Sequence, residues 1–152
     1  MPEAAERARE FLNELFSLGK MDLKAEISDS PNSHVLNLEG ADASLLRMEG
    51  GELLDAVEHL VNQAFSSELP HEQHLVCDVE GFRAVRETEL RAMARHAASR
   101  VLSTGAPFLF GPMSAKERRV IHVSLAEEEN LVTESVGEGN ERRLKVSLKK
   151  SV

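Results

Sequence analysis

The sequence predicts an α+β protein built as two small α/β sandwiches, an αββααβ half over residues 1–80 and an αβαββ half over residues 81–152. Two observations carry this division. Apolar residues recur at helical spacing in some stretches and alternate in others, with glycine and proline between the patterns. The charge also changes sign near Glu80. Residues 1–80 hold 5 Lys and Arg against 17 Asp and Glu, net −12, whereas residues 81–152 hold 13 against 9, net +4. No repeat and no low-complexity linker lies between the halves.

In the first half, Ala8, Phe11, Leu12, Leu15, Phe16 and Leu18 form the stripe of a helix over residues 2–18, which Gly19 ends. Leu23, Ala25 and Ile27 alternate with Asp22, Lys24 and Glu26 as a strand. Asp29-Ser-Pro-Asn32 reads as a turn, and residues 33–39 form a second strand antiparallel to the first. Asp42 is placed to cap a short helix through Leu45 and Leu46, which Gly50-Gly51 interrupts. A longer helix follows, with Leu53, Leu54, Val57, Leu60, Val61, Ala64 and Phe65 as its buried stripe. Pro70 then closes the region before a third strand at residues 74–79.

In the second half, a long cationic helix over residues 82–102 turns Val85, Leu90, Met93, Ala94, Ala97 and Val101 toward a core, and Phe108-Leu-Phe110 has the composition of a short buried strand. Residues 131–136 and 143–148 form a hairpin about Gly137-Glu-Gly-Asn140. In its last strand Leu144, Val146 and Leu148 face the core, while Arg143, Lys145, Ser147 and Lys149 form a basic outer side.

The most informative stretch lies between them, Ser114-Ala-Lys-Glu-Arg-Arg-Val-Ile-His-Val-Ser-Leu125. Ser114 and Glu117 have the spacing of a capping box, so a helix starts here. Val120, Ile121, Ser124 and Leu125 cluster on one side, and Arg118 and His122, four residues apart, share a face turned away from it. A guanidinium and an imidazole open to water near a helix N-terminus suit a phosphate. Arg119, Arg142, Arg143 and Lys145 are expected to extend that grip, with the basic side of the last strand continuing the same surface. An Arg-xxx-His spacing by itself is weak, since this many arginines and histidines give about half a match by chance.

Other classes recede. No apolar run approaches the roughly 20 residues of a membrane helix, the first residues lack the layout of a secretory signal, and the single Cys77 excludes an intrachain disulfide framework; the expected setting is the cytosol. His71, His74 and Cys77 resemble metal ligands, but a closed zinc site needs a fourth donor that nothing nominates, so a buried structural cysteine is expected and no metal or other cofactor. Arg83, Arg86, Arg91, Arg95 and Arg100 on the long helix read mainly as ion-pair partners, leaving about a third free. No nucleophile and base pair or nucleotide loop is present, and no enzymatic activity is assigned. With no Trp or Tyr, base stacking has few platforms, so affinity for nucleic acid would come from charge.

Several linked motifs resemble the Jag, or SpoIIIJ-associated, family of bacterial proteins: Gly51-Glu-Leu-Leu-Asp-Ala-Val-Glu-His-Leu60, Asp78-Val-Glu-Gly-Phe-Arg83 with Arg86, Pro112-Met113, Glu117-Arg-Arg-Val-Ile-His122, and Thr133-Glu-Ser-Val-Gly-Glu-Gly139 with Arg142-Arg143. The resemblance covers nearly the whole chain. It implies a type II KH domain followed by an R-three-H (Arg-xxx-His) domain, and binding of single-stranded RNA or DNA through Arg118 and His122, with Arg119 and the basic hairpin in support. A KH domain clamps nucleotide backbone with a Gly-x-x-Gly loop. That loop aligns here to Met48-Glu-Gly-Gly51, which puts a side chain in place of the first glycine and Glu49 where phosphate would sit, with Arg47 the one cation nearby. The KH half is therefore expected to be degenerate, and the family's additional N-terminal domain is expected to be absent. A rival reading is a protein-interaction adaptor, whose acidic first half recruits a basic partner or self-associates as a homodimer.

Overall fold

The computed structural model describes residues 3–31 and 33–150, so Pro2 and Asn32, assigned above to a helix and a turn, lie outside the described residues. The chain divides into two compact units, Met1–Arg83 and Ala84–Val152. The division falls three residues beyond the charge shift because Phe82 and Arg83 pack on the first unit. Phe82 lies against Gly51, and Arg83 donates to Asp55 (2.7 Å), Glu58 (3.0 Å) and the Cys77 carbonyl (2.7 Å).

The first unit runs α1 (Glu3–Leu18), β1 (Lys24–Ser30), β2 (Ser33–Glu39), α2 (Ala43–Arg47), α3 (Glu52–Phe65) and β3 (His74–Asp78), the αββααβ order the sequence predicts. Its sheet is ordered β1-β2-β3, with β2 antiparallel to β1 and parallel to β3. Ala5, Ala8, Leu12 and Phe16 of α1 and Leu54, Val57, Val61 and Phe65 of α3 close one core over Leu36 and Leu38. Each edge strand is tied by an asparagine amide acting as a surrogate strand residue. Asn13 accepts from Ala25 N–H (2.7 Å) and donates to its carbonyl (3.2 Å), and Asn62 does the same for Leu75 (3.0 and 2.7 Å).

Four expectations for this unit are corrected. Asp29 and Ser30 continue β1, pairing with His34 and Ser33, so the turn is shorter than the sequence suggests. Asp42 leaves the N-terminus of α2 uncapped by its side chain, which instead accepts from Asp22 N–H at 2.6 Å. The left-handed residue that ends α1 is Lys20, not Gly19. Leu53 and Leu60, counted in the buried stripe of α3, are 40% and 42% exposed, and Ala64 is exposed with them. A helix lying on a sheet buries a narrower arc than a seven-residue stripe supplies.

The second unit contains α4 (Phe82–Thr104, of which all but the first two residues belong here), β4 (Phe108–Leu109), α5 (Ala115–Leu125), β5 (Leu131–Val136) and β6 (Arg143–Leu148). Its sheet is antiparallel throughout and ordered β4-β6-β5. Leu90, Ala94, Ala97 and Val101 of α4 and Ile121 and Leu125 of α5 pack on Phe110, Leu131, Leu144 and Val146. Val85 and Met93 of α4 are exposed instead of buried. Phe108–Leu109 is a two-residue edge strand, not a buried one, and Leu109 is 51% exposed on it. Among the described residues no helix is long and apolar enough to cross a membrane.

Candidate nucleic-acid interface

Helix α5 begins where the sequence places it. The Ser114 hydroxyl accepts from Glu117 N–H at 3.2 Å, one half of a capping box. The Glu117 side chain turns inward. At 8% exposure it is buried, and both carboxylate oxygens accept from the Arg86 guanidinium, at 2.7 and 3.3 Å. The pair anchors the first turn of α5 to α4, and the hydrogen bond to Glu117 is the chief reason the Arg86 pKa is raised. Ile121 and Leu125 bury as expected, whereas Ser124 is exposed and turns its hydroxyl back to the Val120 carbonyl at 2.8 Å.

Arg118 and His122 do share a face, and that face lies along β5. Arg118 Nη1 donates to Ser135 Oγ at 2.8 Å, and His122 Nδ1 hydrogen-bonds Thr133 Oγ1. The match is geometric. Four helical residues advance about 6 Å and two strand residues about 6.6 Å, so residues four apart on α5 meet residues two apart on an antiparallel-running β5. Arg118 is consequently half-buried, not open to water as expected, with its Nε buried and without a hydrogen-bond partner. His122 is exposed. Together with Ala115, Arg119 and Leu144, these four residues line a shallow concavity of about 410 Å³. Three of its seven lining side chains are Arg or His, and none is a carboxylate.

The other expected residues separate. Arg119 is exposed on the rim and, among the described residues, carries no ion pair. Arg142 is exposed and extended two residues before Leu144, so strand alternation places it on the Leu144 side. Arg143 and Lys145 fall on the opposite side: they sit across from Val136 and Glu134, while Leu144 and Val146 sit across from Ser135 and Thr133. The strand's basic side therefore does not continue the Arg118 and His122 surface, because directly opposed residues in an antiparallel pair share a face. Arg143 also lies 3.9 Å from Glu141. Sequence reasoning misses the two hydroxyls. The available signal is a Thr-x-Ser alternation that puts polar side chains at core-facing strand positions.

On α4, Arg83, Arg86 and Arg91 are engaged with carboxylates, the last with Glu87 at 2.5 Å, and Arg95 and Arg100 are free among the described residues. In the loop Met48-Glu-Gly-Gly51 of the first unit, Arg47 is held by Glu80 at 2.7 Å. Glu49, Gly50 and Gly51 have φ of 53, 66 and 89°, and a Cβ on Gly51 would meet Phe82 Cε1 at 2.8 Å. The glycine thus seats a neighbouring ring, and Glu52 and Asp55 fill the first turn of α3 with negative charge. Cys77 is buried in β3, and burial first, with Glu58 second, pushes its thiol up to about 12, as befits an interior thiol. His71 and His74 are exposed, and among the described residues no three His, Cys, Asp or Glu side chains gather as a metal site.

The R-three-H domain family matches residues 88–148. The chain is similar to the RNA-binding protein KhpB of Clostridium symbiosum, with 30% identity over 147 residues covering 95% of this chain and 66% of the relative. It is similar to the KhpB of Bacillus subtilis, at 31% over 134 residues covering 87% and 64%. It is also similar to that of Lactiplantibacillus plantarum, at 28% over 115 residues covering 76% and 36%. The chain thus spans about two thirds or less of the length of each. With the R-three-H family on the second unit, these relatives along most of the chain, and an αββααβ unit before it, the chain belongs to the Jag, or SpoIIIJ-associated, family.

Proposed function

We propose that this chain binds single-stranded nucleic acid in the cytosol, RNA before DNA, by holding its sugar–phosphate backbone along the α5–β5 concavity, and that it performs no catalysis. One observation carries the reading: in a protein of net charge −8, the wall of that concavity holds Arg118, Arg119 and His122 and no carboxylate. Arg118 and Arg119 donate to phosphate, His122 donates beside them, and Arg142 adds to the field from the Leu144 side. Arg143 and Lys145 contribute only at longer range from the opposite face. The names of the KhpB relatives support RNA as the first ligand to try. Wild type and the Arg118→Ala/His122→Ala double variant, titrated with labelled single-stranded RNA, single-stranded DNA and duplex, test it. Loss of two charge-assisted contacts should weaken single-strand binding about 10- to 100-fold. Equal affinity of the two proteins would remove the site.

The comparisons do not favour the adaptor as the principal role. For the acidic unit, whose Leu53 and Leu60 lie exposed on α3, the reading is a subsidiary contact with a basic protein or a second copy of the chain. Light scattering of the full chain across a concentration series tests the second copy, and a constant monomer mass would argue against it.

A further inference from the structure

We infer that Ser135 and Thr133 are positioning residues for nucleic-acid binding, acting through Arg118 and His122; the inference rests on the binding site proposed above. Among the described residues, Ser135 is the only hydrogen-bond partner of the Arg118 side chain, and Thr133 the only one of the His122 ring. The aim of each cationic group therefore depends on one hydroxyl of β5. A free arginine samples many rotamers, and ordering it on the ligand costs affinity. The bond from Nη1 to Ser135, with Nε turned into the interior, orders it in advance and leaves the Nη2 edge of the guanidinium for phosphate. Thr133 takes the Nδ1 side of the imidazole, which leaves Nε2 as the ring nitrogen for the ligand. Because Glu117 fixes the start of α5 through Arg86, the helix cannot slide to repair a lost rung.

A double-mutant cycle on the full chain separates positioning from direct contact. Single-stranded RNA affinity is measured at low salt for wild type, Ser135→Ala, Arg118→Ala and the pair, with thermal melts as a folding control. Positioning requires Ser135→Ala to weaken binding about three- to tenfold when Arg118 is present and to have no further effect when it is absent, with Ser135→Thr restoring most of the loss. Equal weakening in both backgrounds would mean that the hydroxyl touches the ligand itself, and no weakening would mean that it does neither; both overturn the inference. If Arg118→Ala binds as well as wild type, the proposed site itself falls, which is a different result from an additive cycle. Thr133→Val with His122→Ala gives the same four-way test independently, should Ser135→Ala fail to fold.

Discussion

Glu117 shows how a surface site is built on an interior contact. Its neighbour Arg118 meets the concavity, while Glu117 points inward to a guanidinium that also contacts Glu89 at 3.2 Å. Taking the charge from Glu117 leaves the half-buried Arg86 with only the exposed Glu89 to balance it. Glu117→Gln should therefore lower the stability of the second unit by about 2 kcal/mol, read by urea unfolding, and weaken RNA binding by loosening the first turn of α5. Unchanged stability would show that the pair contributes nothing net. Cys77 makes a separate forecast. Its thiol ionises near 9.0 when unfolded and near 12 when folded, so the unfolded chain loses its proton first. Stability from this group is full below pH 9 and is lost as pH climbs toward 12. At about pH 8 a thiol reagent should react with Cys77 only after unfolding, and fast labelling of the native chain would contradict its burial.

The elements are legible to different degrees, for physical reasons. β2 and β5 can be read to the residue because Asn and Gly flank each run, and β6 because apolar and polar side chains alternate over its six positions. β4 cannot, since a two-residue edge strand has no period to detect. The apolar run of α3 gives the helix but overstates its buried arc, because side-chain spacing does not say which part of a wide stripe meets the sheet. Arg118 and His122 are legible as a pair. Their anchors on β5 are not, because a helix–strand register depends on tertiary packing. The asparagine rungs at the sheet edges are hidden for the same reason. Asn62→Ala should strand the Leu75 amide and carbonyl at the β3 edge and destabilise the first unit by about 1–3 kcal/mol, seen as a lower urea midpoint. Gly51→Ala should act similarly, by strain at φ 89° and collision with Phe82, without changing RNA affinity. A specific loss of RNA binding in that variant, with the fold intact, would return the loop to a nucleotide-binding role.

Across the whole molecule, charge is divided between two units that each possess a separate hydrophobic core. Residues 84–152 keep 12 Lys and Arg against 9 Asp and Glu, so the unit with the proposed site is the cationic one while the chain as a whole is anionic. The affinity of the full chain should consequently fall steeply with salt. If about three phosphates are neutralised, the log–log slope for a single strand is near −2, and Arg118→Ala/His122→Ala should flatten it by about 1. A slope of zero in the wild type would exclude backbone recognition. The most direct measurement is amide chemical-shift mapping of the full chain with single-stranded RNA. Shifts should concentrate at residues 115–122, 133–135 and 142 and leave residues 48–51 unmoved. Perturbation centred on residues 48–51, or confined to Arg143, Lys145 and the outer side of β6, would place the ligand elsewhere and contradict the α5–β5 site.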